Sequence, residues 1–318
     1  MPAMVNTVTG PIPVTALGRT LMHEHLFIAF GGVEFDPLAT FDRPAFIAEA
    51  VKRLVELREV HGVRSFVDPC PIELGRDPTM MKEISEKSGV HIVCTTGFYF
   101  EAMGLPPYWR ARTVDEIAEL YIREITHGIG TTGIKAGAIK VATGAPDITA
   151  FEKHFLAAAC IAQKATGVPI ITHTQDGVGA HRCLIGHCCG NADPAYHRRV
   201  VDGGSYIGFD RIGILRLMPD ETRADNLAKL VRDGFTNQIM MSQDRHCGWH
   251  GKMQRQLTPA EQANIDRLTA EGKWPPPYSY MFTDFMPLLH ARGVNQSDIA
   301  VMLDENPRRF FAGEAIPV

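Results

Sequence analysis

Two hydrophobic patterns alternate along this chain. Short apolar, β-rich runs are separated by longer stretches whose apolar residues recur at helical spacing. Thr20–Phe27 (TLMHEHLF) predicts a strand, Phe46–Val60 a helix, Ser65–Asp68 a strand, Thr79–Ser88 a helix and His91–Thr95 a strand. Val114–His127 predicts an amphipathic helix, with Asp115 and Glu116 in the first turn where acidic side chains suit the helix dipole. Strand Ala138–Val141, helix Ile148–Thr166 ended by Gly167, and strand Val168–His173 follow. The second half continues with strand Leu184–His187, helix Ala195–Asp202, strand Ser205–Phe209, helix Asp220–Asp233 and strand Gln238–Ser242. Tyr280–Arg292 and Gln296–Leu303 predict helices ahead of the Asn306–Phe311 tail.

Strands alternating with helices imply parallel strands joined by crossover helices. About eight such units favour a closed (β/α)8 TIM barrel over an open sheet. With no linker, low-complexity tract or repeat visible, residues 1–318 are expected to form a single domain.

Composition narrows the function classes. The 318 residues are 45% hydrophobic and 21% charged, with a formal net charge of −4, so no basic nucleic-acid surface is expected. No apolar run approaches the roughly 18 residues a membrane span needs. The opening MPAMVNTVTGPIPVT has no basic start and no long apolar core, which argues against a secretory signal. Seven cysteines without secreted disulfide spacing suggest reduced thiols and a cytoplasmic location. The Cys188-Cys189 pair is read as packing.

Polar residues then carry the chemistry. In parallel barrels, reacting groups sit at the C-terminal ends of strands. His23 and His25 are two apart, so on one strand both would leave the same face. Lys140 ends AIKV, His173 ends PIITH, His187 ends LIGH, and Asp244 follows MMSQ. Singly, each has a plainer reading: a hydrogen-bonded structural histidine, or an aspartate capping a helix. Together, the imidazoles and the carboxylate suit divalent ions of the Zn, Mn, Fe or Co type better than Ca or Mg. Lys140 is either a salt-bridged lysine or a lysine carboxylated by CO2, whose anionic carbamate could bridge two cations. Desolvation would favour the neutral amine that reaction needs.

The chain resembles the phosphotriesterase family of the amidohydrolase superfamily, including the phosphotriesterase-like lactonases. The likeness runs through VTGPIPVTALGRTLMHEHL, GIKAGAIKVATG, VPIITHT, LIGH, GGSYIGFDRIG, IMMSQD and NPRRFF. It implies a distorted barrel with a binuclear centre, zinc first, with Co, Fe or Mn as alternatives. His23, His25 and Asp244 would hold the more buried ion and His173 and His187 the more exposed one, with carboxylated Lys140 and a hydroxide between them. That hydroxide would attack phosphorus or a carbonyl carbon directly, and Asp244 would also carry the proton away. Tyr99 in TTGFYF matches a tyrosine lining the lactonase pocket; its plainer reading is rim packing. Arg211 in GFDRIG matches an arginine near the site, or pairs with a neighbouring carboxylate such as Asp210. His246–Met253 falls at the family's substrate-selecting loop, where Trp249 is a pocket wall or a loop anchor, and His246 and His250 are not expected to be ligands. Small esters, lactones or organophosphates are the implied substrates, and a homodimer the implied assembly.

One stretch departs from the family. Only 14 positions separate His173 from His187, and the link TQDGVGAHRCLIG is at or below the length of a parallel crossover. A shortened connection from the fifth to the sixth strand is therefore expected to distort the barrel there. His181 could substitute as the ligand, but GHCCGNADPAYH running into GGSYIGFDR fixes His187. Rival readings are an amidase or carboxylesterase of the same superfamily, and a barrel without catalysis that serves in binding.

Overall fold

The structure, a computed structural model, describes residues 3–144, 147–173, 182–252 and 257–317. In chain order its strands are β1 (Met4–Thr7), β2 (Gly10–Pro13), β3 (Arg19–Leu21), β4 (His25–Ala29), β5 (Val63–Asp68) and β6 (His91–Gly97). They continue with β7 (Ala138–Ala142), β8 (Ile170–His173), β9 (Cys183–Gly186), β10 (Tyr206–Phe209), β11 (Ile239–Met241) and β12 (His246–His250). The helices are α1 (Arg43–His61), α2 (Pro78–Ser88), α3 (Pro107–Arg110), α4 (Val114–Thr126), α5 (Ala150–Thr166), α6 (Pro194–Asp202), α7 (Asp220–Arg232) and α8 (Pro259–Ala270). Three short ones follow at Met286–His290, Gln296–Ala300 and Asn306–Ala312. No helix among the described residues is long and apolar enough to cross a membrane.

Local chemistry explains where the helices start. Thr113 and Glu116 form a capping box on α4, and Thr149 and Glu152 form one on α5. α8 begins the same way, with Thr258, Glu261 and Pro259 in the first turn, so the stretch after Ser242 carries a strand and a helix that hydrophobic periodicity does not reveal. The two helices expected near the C-terminus are interrupted by wide π-type turns at Met281–Phe285 and Val301–Glu305. Pro287 and Pro307 follow these turns; without an N–H, neither can make the usual i to i−4 bond.

Eight strands form one parallel sheet in the order β11-β10-β9-β8-β7-β6-β5-β3, curled into a nearly closed TIM barrel with the helices outside. Alternation along the strands divides the apolar residues. Val67, Val93, Ala138, Ile171, Leu184, Tyr206 and Met240 pack inside with Leu17, Met22, Phe310 and Phe311. Their chain neighbours Phe66, Ile92, Ile139, Ile170, Ile185, Ile207 and Met241 pack outward against the helices. The same parity carries Lys140 two residues beyond Ala138, and His173 two beyond Ile171, to the C-terminal mouth. β8 and β9 stay paired from Ile170 opposite Cys183 to His173 opposite Gly186, so the short link does not disrupt this part of the ladder. Residues 174–181, including His181, lie outside the described residues.

The irregularity lies instead between the two ends of the sheet, β3 and β11. The strand expected over Thr20–Phe27 breaks at Met22–Glu24, because the backbone there bonds in two directions. Glu24 N–H donates to the Val67 carbonyl, while His23 N–H donates to Ser242 Oγ (3.0 Å) and His23 O accepts from Asp244 N–H. The buried Glu24 carboxylate accepts from Ser242 Oγ (2.8 Å), Gln243 N–H (2.7 Å) and Arg245 N–H (2.9 Å). Burial pushes the Glu24 carboxyl up to about 8 against the pull of these donors. Beyond the seam, β4 and β12 pair in parallel as a separate two-stranded sheet.

Glu24→Ala leaves two buried N–H groups and a hydroxyl without their acceptor. We expect a loss of about 3–5 kcal/mol, measured by urea unfolding of metal-free protein; a loss below about 1 kcal/mol would show that the seam closes without this carboxylate.

Candidate metal centre

The six ligand candidates, His23, His25, Lys140, His173, His187 and Asp244, converge at the strand ends. His23, His25, Lys140 and His187 are buried, and His173 and Asp244 face the cavity above them. His23 and His25 are not on one strand face as the sequence suggests. His23 sits in the break and His25 opens β4, yet their rings meet edge to face at 5.5 Å. Asp244 Oδ1 lies 3.7 Å from His23 Nε2 and 3.4 Å from His25 Nε2. Lys140 Nζ is 3.3 Å from His23 Nε2, and His187 Nε2 is 2.7 Å from His173 Nδ1.

Carboxylates outside this set aim the imidazoles. Asp210 faces two of them: its Oδ2 is 3.0 Å from His23 Nδ1 and its Oδ1 is 3.1 Å from His187 Nδ1. Asp68 Oδ1 is 3.3 Å from His25 Nδ1; this contact and that of His23 are off the angle of a good hydrogen bond. A carboxylate only accepts, so each Nδ1 carries a proton; the Nε2 of His23 and of His187 presents a lone pair inward, and that of His25 does so once its second proton, held toward Asp244, has left. Two backbone donors fix Asp68, Leu26 N–H and Cys70 N–H at 2.9 Å each. Asp210 is fixed by His187 N–H at 2.7 Å.

Arg211 does not pair with Asp210, its expected ordinary partner. Neighbours at a strand end face opposite ways, and Arg211 Nε reaches Asp244 Oδ2 at 3.2 Å. Asp210 therefore escapes a search for ligands, although it is an inward position two beyond Gly208. A Cβ at Gly208 would stand 2.8 Å from Asp210 Oδ2, and one at Gly186 3.0 Å, so both glycines make room for this carboxylate. Gly97 does the same for the strand bearing Lys140: its φ is +116° and a Cβ there would collide with the Lys140 carbonyl.

The charges fit cations. Burial, followed by the nearby Lys140 charge, pulls His23 down to about 3, leaving a neutral imidazole. Burial, then His187, holds His173 well below its usual value. Burial also pulls on His25, but Asp244 and Asp68 on its two nitrogens outweigh it and hold the ring well above its usual value. Burial would raise Asp244 and Asp210, yet the surrounding histidines keep both ionised. Burial lowers the Lys140 amine to about 8. His23, His25 and Asp244 thus offer three donor atoms within 4.8 Å of one another, as do His23, His187 and Asp210. Imidazole nitrogens backed by carboxylates, that of His25 after losing a proton, make a donor set that a borderline divalent ion would take.

His187 (φ 65°) and Asp244 (φ 52°) are the only non-glycine residues at positive φ among those described. Strain of this kind persists where the surroundings enforce it, often at working sites. Above the cluster opens a cavity of about 600 Å³ whose lining includes Tyr99, Met103, Arg211, Trp249, Ile265 and Trp274. Tyr99 Oη is 3.1 Å from His173 Nδ1. Trp249 packs on Phe30 and donates to His246 Nε2, while His250 Nε2 bonds the Ala39 carbonyl. The seven cysteines are free, with Cys188 and Cys189 buried beneath Asp210 and Arg211.

The strand-end constellation, together with a match of residues 3–311 to the model of the phosphotriesterase family, decides the assignment. The chain belongs to the phosphotriesterase family. It is a metal-dependent hydrolase. An aryldialkylphosphatase of Saccharolobus solfataricus is 33% identical over 317 residues, covering 93% of this chain and 95% of the relative. The organophosphorus hydrolase of Deinococcus radiodurans superposes with a TM-score of 0.88 at 36% identity, covering 98% of this chain and 97% of that one. A mutant PTE-like lactonase of the same organism gives 0.87 at 35% identity, covering 96% and 99%. The matched span includes every residue of the strand-end cluster.

Asp210→Asn puts an amide N–H against one imidazole N–H. Metal affinity, measured by competition with a chromophoric chelator, should fall about 10–100-fold. Unchanged affinity would mean that Asp210 does not aim the ligands.

Proposed function

We propose that this phosphotriesterase-family enzyme hydrolyses lactones and organophosphate esters at a centre of two divalent ions, zinc first. The supporting observation is the convergence of His23, His25, Lys140, His173, His187 and Asp244 beneath one cavity. His23, His25 and Asp244 would hold one ion, His173 and His187 the other, and Lys140 as its carbamate would lie between them. When bound, the two ions lower the pKa of a water and polarise the oxygen of the substrate.

The protein groups do the rest. Asp210 and Asp68 keep the imidazoles turned to the centre. Asp244 takes the proton of the attacking water at Oδ2, beside the Arg211 guanidinium. Arg211 and the histidines make Asp244 a weak base, so the proton passes on to solvent rather than staying. Burial keeps the Tyr99 phenol protonated, so it stands beside His173 as a neutral polar group able to orient a substrate oxygen. Substrate is a small molecule of a size that a cavity of about 600 Å³ admits. A homodimer in the cytoplasm is the setting we propose, by family resemblance.

The test is reconstitution. Metal-free protein should regain about two equivalents of Zn, Mn or Co per chain, and with them lactone and phosphotriester hydrolysis that a chelator removes. Metal uptake without hydrolysis of any lactone, phosphotriester, ester or amide would leave a binding barrel, and cleavage of amides alone would give the amidase.

The Lys140 shift sets a pH dependence. Only the neutral amine adds CO2, and burial brings its pKa from 10.5 down to about 8. The addition releases a proton, so the reading is the initial rate: at fixed dissolved CO2, the rate of carbamate formation followed by ¹³C NMR should rise about tenfold per pH unit below 8 and level off above it. A rise continuing to the ordinary lysine value would show that Lys140 is not set up for carboxylation.

A further inference from the structure

Buried arginines elsewhere in this barrel have acceptors. Arg223 gives its terminal nitrogens to Asp220 and to the carbonyls of Met218 and Ile214. Arg76 grips both oxygens of Glu124 and the Thr95 carbonyl. Arg245 is different. It is only 5% exposed and lines the cavity above the metal centre, yet its guanidinium donates no hydrogen bond to any described residue. No carboxylate of a described residue lies within 4.0 Å of it. The nearest candidates are engaged: Glu24 by three donors including the Arg245 backbone, and Asp244 by Arg211 and His25.

Its surroundings are cationic and aromatic. The Arg245 guanidinium stands 5.4 Å from the centroid of the Trp274 ring and that of Arg216 5.8 Å from the same centroid, so two cations share one aromatic platform. The Trp249 indole donates to His246 Nε2, so the His246 proton is on Nδ1, and that buried Nδ1 has no partner among the described residues. Arg216, Arg245, His246, Trp249 and Trp274 all line the cavity, with His246 at the start of β12. A buried guanidinium without acceptors is costly to keep unless something fills its donors. A planar fork of N–H groups matches a carboxylate, sulfonate or phosphate oxygen pair.

We propose that Arg245, with Arg216 and His246, forms an anion subsite in the cavity wall that selects hydrolysable substrates carrying a compact oxyanion away from the reacting bond. The subsite rests on the hydrolase reading for its meaning, but not for its existence.

Metal-free protein decides it without calling on catalysis. Hexanoate and hexanamide have the same shape and differ in charge, and calorimetry measures both. Hexanoate should bind about tenfold or more tighter, the range of a hydrogen bond to a charged group. Arg245→Met should bring the two ligands to parity, and Arg245→Lys should keep part of the preference. Equal binding of the two by the wild type overturns the proposal even if Arg245→Met does not fold, and so does a preference that survives in a folded Arg245→Met. Failure of the metal-loaded enzyme to hydrolyse esters, lactones or amides would overturn the proposed function while leaving this binding result standing.

Discussion

One carboxylate ties the first strand of the barrel to the last. Glu24 sits between His23 and His25 and binds Ser242, Gln243 and Arg245, the residues on either side of Asp244. The sheet itself ends at β3 and β11, so this contact brings His23 and His25 to Asp244. Parallel barrels usually close by a continuous ladder. Here a side chain replaces part of that ladder, which frees the backbone at His23 and Asp244 to leave strand geometry. Left-handed φ at Asp244 costs roughly 1–2 kcal/mol; the three bonds to Glu24 flank it, and the Asp244 N–H bond to the His23 carbonyl holds the residue itself to the seam.

How much of this could be read from the sequence depends on what carries each feature. The barrel is visible because burial on both faces of parallel strands makes apolar runs, as in Ile170–Ile171 and Ile239–Met241. Lys140, His173 and His187 stand out because a strongly polar residue ends an apolar run. Asp210 and Asp68 end such runs too, but an aspartate after a strand is common, and nothing local shows that it faces an imidazole from a distant strand. The break at Met22–Glu24 is also silent, since TLMHEHLF has an unbroken strand composition and only its long-range bonds to Val67 and Ser242 divide it. β12 and α8 escape for a third reason. Half-buried segments over a cavity have weak periodicity, and only the Thr258–Glu261 capping box marks the helix.

The side chains are arranged for positive charge before any ion is considered. His187 keeps one proton on Nδ1 toward Asp210, so the proton between its Nε2 and His173 Nδ1 belongs to His173. His25, well above its usual pKa, holds a proton between Asp68 and Asp244. These are places where a cation can displace a proton, which couples metal binding to proton release. Lys140 completes the logic: burial weakens its charge, and converting the amine to a carbamate would change a repelled cation into an anion at the same place.

Chemistry and selectivity then meet at three consecutive residues. Asp244 turns its carboxylate down to the histidines, the Arg245 backbone closes the seam through Glu24, and His246 starts the strand that pairs with β4. The backbone here is committed to holding the barrel shut. The side chains of Arg245 and His246 are not, because their polar ends stand against Trp274 and Trp249 rather than in the seam. This division lets the cavity wall change its charge without moving the ligands, since a substitution at Arg245 beyond Cβ leaves its N–H bond to Glu24 in place. Proline is the exception: it would remove the seam donor and displace Asp244, joining in one residue two properties that every other side chain keeps apart.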